Sequence, residues 1–184
     1  DLERELEKLL DEVRRRVEEL NKRNEDLARK VAEDTKELLK ELRELLEEVK
    51  RRVRDLIRKI TDEKLARELE DLLRKIEEDV KEAIKRSEET LERIIRDIER
   101  MIRESERLLR EIEELVKEVI AKLRDREVAE RVKEEIRRLL KEIEELNKRS
   151  EERIKKLLED DRRLIERVKE RIEDLLRRIE ERTR

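Results

Sequence analysis

Nine polar residues stand in or beside a stripe that otherwise carries Leu, Ile and Val. They are Asn21, Asn24 and Thr35, then Ser87, Thr90 and Ser105, then Asn147, Ser150 and Asp161. A serine or threonine nucleophile needs a neighbouring base such as His, and the chain has no His. The Lys and Glu side chains fall on the outer face of the pattern, where they cannot serve an inward-facing serine. A metal centre wants several carboxylates or imidazoles that converge. Asp161 instead stands with two threonine hydroxyls, Thr35 and Thr90. No catalytic, cofactor-binding or metal-ligating residue is assigned, no cofactor is expected, and the chain does not read as an enzyme. A small-ligand pocket is the more thinkable chemistry. Asn21 and Ala28 occupy places where other repeats carry Leu or Ile, though Ile98 and Ile154 are large enough to fill that space. Met101 reads as a gap-filler.

The elements that position these residues follow from periodicity. The stripe of the first third runs Leu6, Leu9, Val13, Val17 and Leu20, continues through Asn24, Leu27, Val31, Thr35 and Leu38, and runs again from Leu42 to Ile60. Its steps repeat every 18 residues, which is five turns at 3.6 residues each. A 3.5-residue repeat would impose a left-handed supercoil and 3.67 a right-handed one, so nearly straight helices are expected. Leu10, Asn21, Ala28, Leu39, Leu46 and Ile57 widen the stripe. That width suits a helix touching two partners.

The pattern returns 63 residues later, with Leu69, Ser87, Ser105 and Leu123 spaced at 18, and again with Val132, Ser150 and Val168. Phase separates three helices from one continuous one. Continuing the first stripe past Ile60 would bury Glu63, Arg67, Asp71, Arg74 and Glu78, whereas the apolar set is Leu65, Leu69, Leu72, Ile76 and Val80. Past Leu123, continuation would bury Arg126, Glu130, Glu134, Arg137 and Lys141, whereas the apolar set is Val128, Val132, Ile136, Leu139 and Ile143. Both joins therefore reverse the chain. The expected fold is all-α: an up-down-up bundle of three long, nearly straight helices at about 2–60, 63–122 and 126–182, forming a single unit over 1–184. Asp62 and Asp125, or Thr61, are candidate N-caps, because a side-chain oxygen there accepts free first-turn amides. Helix ends commonly use Gly, which this chain lacks.

Short joins make sequential helices antiparallel neighbours. If Ile60 opposes Leu65, the first two helices pair where residue numbers sum to about 125; if Leu123 opposes Val128, the last two pair at about 251. Thr35 then meets Thr90, and Thr90 meets Asp161. Asn21 comes level with Asn147 and Asn24 with Ser150, with Ser105 about a turn away. Two hydrogen-bonded layers are expected, about 16 Å apart by helix rise: an Asn/Ser layer, and a Thr–Thr–Asp layer with Ser87 close by. Such layers fix register, as a buried Asn does in coiled coils.

Composition narrows the rest. The chain has no Gly, Pro, Cys, His or aromatic residue in 184 positions. At average usage, the chance of missing every Gly is on the order of one in a million. Turn-rich β structure and glycine-built phosphate loops are excluded. Charged residues make up 60%, but 54 basic and 57 acidic side chains are interleaved, as on a solvated helical surface. No basic cluster with stacking aromatics calls for nucleic acid. No apolar run is long enough for a membrane, and no signal peptide is visible. The chain begins at Asp1 rather than Met, so removal of a tag or leader is expected.

The 18-residue repeat, the Glu/Lys/Arg surface and the polar layers together resemble the parametrically designed de novo helical bundles. Spectrin-type repeats are the natural comparison, but they carry a buried Trp. The resemblance implies a very stable scaffold with no native substrate, soluble and cytoplasmic on recombinant expression. A monomer needs no partner. A helix can also pair with a copy of itself, so a homo-oligomer or domain swap is the rival expectation, and a partner-binding helical module or a ligand binder at the polar layers are the others.

Overall fold

The computed structural model describes residues 1–122 and 125–183. Three α-helices follow one another: α1 at Leu2–Lys59, α2 at Glu63–Lys122 and α3 at Arg126–Arg182. They pack against each other as an all-α three-helix bundle, with no strand among the described residues. None of these helices is long and apolar enough to cross a membrane.

Each helix begins on an aspartate. Asp62 Oδ1 accepts from the amides of Lys64 at 3.0 Å and Leu65 at 3.4 Å. Asp125 Oδ1 accepts from Glu127 N at 3.1 Å, and Asp1 Oδ1 from Glu3 N at 3.2 Å. First-turn amides have no partner inside the helix, so these bonds satisfy donors that would otherwise be free. Thr61 is not the cap. The join between α1 and α2 also explains how a chain without glycine reverses: no described residue has a positive φ. The helix end closes with a short bond from Ile60 N to Ile57 O at 3.2 Å, and no left-handed residue is needed.

The chain divides into two compact units. The first is Asp1–Lys30 with Ile94–Lys155, and the second is Val31–Arg93 with Lys156–Arg184. The core of the first gathers Leu6, Leu10, Val13 and Val17 of α1, Leu108, Ile112 and Val116 of α2, and Ile136 and Ile143 of α3. The core of the second gathers Leu42, Val49 and Val53 of α1, Leu69, Ile76 and Val80 of α2, and Ile172 and Ile179 of α3. In both units α1 and α3 run parallel, because their ion pairs join residues 128 apart: Arg16–Glu144 in the first and Glu41–Lys169 in the second. Helix α2 opposes α1, which Arg43–Glu88 and Lys50–Glu77 show in the second unit.

The detail of the stripe differs from the sequence reading in three places. Leu10, Leu39 and Leu46, read as flanking, are buried, while Leu9, Leu38 and Leu45 are half-buried. Leu73 is buried and its neighbour Leu72 only partly so. A stripe facing two partners has adjacent inward positions, and helix rotation decides which lies deepest. Val128, read as core, is 43% exposed, and Ala129 beside it is fully buried. Val128 lies in the first turn of α3, which turns Ala129 inward. Its expected partner Leu123 lies outside the described residues.

Candidate functional site

Asn24, Thr35, Ser87, Ser105, Asn147, Ser150 and Asp161 are all buried. Asn21 and Thr90 are only partly so. The buried polar positions are distributed between the two units.

In the first unit, Asn147 of α3 joins all three helices. Its Oδ1 accepts from Asn24 Nδ2 of α1 at 2.6 Å. Its Nδ2 donates to Ser105 Oγ of α2 at 3.3 Å and to the Ile143 carbonyl of its own helix at 2.8 Å. Asn147, itself buried, thus uses both donors and one acceptor where an unmade bond is costly. Asn24 bonds Asn147, not the level with Ser150 expected from loop counting. The bond spans 123 residues, about one turn short of the expected partner. Ser150 is buried in the same unit. Asn21, expected level with Asn147, is partly exposed, and its Oδ1 has no hydrogen-bond partner. Met101 is buried in this unit, as a flexible filler would be.

In the second unit, Ser87 Oγ of α2 donates to Asp161 Oδ2 of α3 at 2.9 Å. The other carboxylate oxygen, Oδ1, is buried without a partner. Burial pushes the Asp161 carboxyl above its ordinary value, against the smaller pull of the Ser87 hydrogen bond and the Arg162 charge. The expected Thr–Thr–Asp arrangement does not form. Thr90 sits at the edge of the stripe, and its hydroxyl donates to the Arg86 carbonyl at 3.0 Å in its own helix. Thr does this readily because its Oγ reaches the preceding turn. Ser87, three residues earlier, holds the central position and takes the carboxylate. Thr35 is buried on α1 in this unit.

No family model, curated protein or solved structure matches this chain. The chemistry therefore rests on geometry alone. Among the described residues, no three His, Cys, Asp or Glu side chains converge as metal ligands would. A groove of about 460 Å³ in the second unit lies open over Ile57 and Leu73, edged by Arg54, Arg74 and Glu70. It presents both charge signs, and none of the nine polar residues lines it. The buried polar groups bond one helix to another, through Asn147 in one unit and Asp161 in the other.

Sequence reasoning found these buried residues because each interrupts an aliphatic stripe. It missed the Asp1 cap and the ion pairs between α1 and α3. The signal for the pairs was present as a recurrent charge inversion along α1, which becomes legible only once the separation of 128 is known.

Proposed function

We propose that the chain is a self-supporting structural scaffold of designed origin, with no substrate of its own. The observation that carries this reading is the use made of the interior polar groups. Asn147 ties Asn24 and Ser105 together, and Ser87 is committed to Asp161. Five of the buried polar side chains are thus bonded across helices, among buried aliphatic side chains. The 18-residue repeat and the absence of every Gly and Pro support a designed origin. A helical core this regular leaves high net stability after chain entropy is subtracted.

The test is thermal unfolding followed by far-ultraviolet circular dichroism, together with solution mass by light scattering. The expected outcome is helical signal persisting above about 90 °C, and the mass of one chain. A cooperative melt below about 60 °C, or a dimer or trimer mass, would displace this reading in favour of an assembly module.

A further inference from the structure

Among the described residues, four ion pairs join α1 to α3 in the first unit: Glu5–Lys133 at 2.7 Å, Glu5–Arg126 at 3.7 Å, Arg16–Glu144 at 3.1 Å and Arg23–Glu151 at 3.2 Å. Three join them in the second: Asp34–Arg162 at 3.9 Å, Glu41–Lys169 at 3.5 Å and Arg52–Glu180 at 4.0 Å. Apart from Glu5–Arg126, the partners are 128 residues apart in every case, which leaves six pairs at one separation. The α1 members fall into two series with an 18-residue step: Glu5, Arg23, Glu41 and Arg16, Asp34, Arg52. The sign inverts at every step of both series, and the α3 members invert with them.

The apolar stripe has the same 18-residue step but carries no sign. Sliding one helix along the other by 18 residues sets aliphatic against aliphatic again, so core packing distinguishes these alignments poorly. The charges distinguish them in both directions. One shift sets Glu5 against Glu151, Arg16 against Arg162, Arg23 against Lys169 and Asp34 against Glu180. The opposite shift sets Arg23 against Lys133, Asp34 against Glu144, Glu41 against Glu151 and Arg52 against Arg162. All eight pairings are like-charged, and juxtaposed like charges suppress wrong partners.

We propose that this ladder makes α1 and α3 a self-recognition surface with a single permitted stagger, for helices of one molecule and for a second copy of this chain alike. Short joins already restrain the stagger inside a molecule. The ladder matters most when two copies meet, because a staggered pair leaves unpaired ends open to further copies. This goes beyond a scaffold role: if the ladder has no such effect, the stability and mass of the parent chain stand unchanged.

The test removes the other discriminator first. A background of Asn24→Leu, Ser87→Ala, Ser105→Ala, Asn147→Leu and Asp161→Leu makes the hydrogen-bonded interior apolar. In that background a second variant adds Arg16→Glu, Arg23→Glu, Arg52→Glu, Glu144→Arg, Glu151→Arg and Glu180→Arg. Net charge is unchanged and all six pairs stay oppositely charged, but every α1 member is now acidic and every α3 member basic. A third variant swaps the two signs of all six pairs and so keeps the inversion. A short amine-reactive cross-linker with peptide mass spectrometry reads the stagger, and light scattering reads the mass. Lys22 is the reporter. It should link to Lys148 in the background and the third variant. In the uniform variant, links to Lys133 or Lys169 should rise by at least about tenfold, with a mass above one chain. The proposal is overturned if the uniform variant links and weighs as the background does, or if the background or the sign-swapped variant already shows the shifted links.

Discussion

Replacing Asn147 tests whether the interior bonds stabilise the fold. Asn147→Leu keeps the branching of the side chain and removes every polar atom. Two interhelical bonds are lost, from Asn24 at 2.6 Å and to Ser105 at 3.3 Å. Each is worth about 1 kcal/mol net. The Ser105 hydroxyl can turn to a carbonyl of its own helix, so it is not stranded. The Asn24 amide loses its partner on the facing helix, and a stranded buried donor costs about 1–3 kcal/mol. Added aliphatic surface returns part of this. The expected loss is about 2–4 kcal/mol, read by guanidinium denaturation at elevated temperature. The triple replacement Asn24→Leu, Ser105→Ala, Asn147→Leu leaves nothing stranded and should recover most of that loss. A cycle between Asn24→Leu and Asn147→Leu should show coupling of about 0.5–3 kcal/mol. Additive effects of those two replacements, or a single replacement that changes stability by less than about 0.5 kcal/mol, would refute the assignment of Asn147 as the joint between three helices.

Asp161→Asn keeps an acceptor for Ser87 and removes a buried charge. Because burial raises the folded-state value of this carboxyl, its contribution to stability is fully present below the unfolded value and is lost as pH rises through the folded one. The variant should therefore match the parent in acid and exceed it by about 1–3 kcal/mol at pH 7; a difference that is constant across that range would contradict the buried charge. Asp62→Ala should cost about 1 kcal/mol and speed hydrogen exchange at Lys64 and Leu65, whose amides it caps. Asp125→Ala, which caps one amide, should cost less, and equal exchange rates in parent and variant would show the caps to be idle.

The three helices and their caps were legible because a wrong choice would have been expensive. An unbroken helix past Ile60 would have buried Glu63, Arg67 and Asp71, so the break in phase reads directly as the end of α1 at Lys59 and the start of α2 at Glu63. Asp62 and Asp125 were legible because a carboxylate just before a helix has free amides to bind. Choices between neighbours were not legible. Leu9 against Leu10, and Ser87 against Thr90, differ by small rotations of a helix about its axis, and periodicity does not fix that angle to better than about one residue. Counting levels from the joins carried Asn24 to Ser150 when its partner is Asn147. The ladder was hidden for the opposite reason. With 60% of residues charged, most positions on α1 and α3 offer a plausible pair, and only the shared separation singles out six.

The division of labour between the stripe and its exceptions follows from magnitudes. A buried aliphatic side chain contributes about 1.5–3 kcal/mol, and dozens of them line these cores. That term dominates the gross stability, yet it repeats every 18 residues and so favours neighbouring alignments almost equally. Selection between alignments is left to terms that do not repeat. Stranding a buried polar group costs about 1–3 kcal/mol, and an 18-residue shift of α3 would part Asn24 from Asn147 and Asp161 from Ser87, although the 18-residue spacing of Ser87 and Ser105 offers one of the parted groups a new hydroxyl. A surface ion pair is worth only about 0.2–1 kcal/mol. A shift that replaces six such pairs with four like-charged pairings nevertheless carries a penalty comparable to a stranded buried group. The residues that lower the gross stability of this interior are thus the ones that make its arrangement unique, and the charged surface supplies the same information a second time.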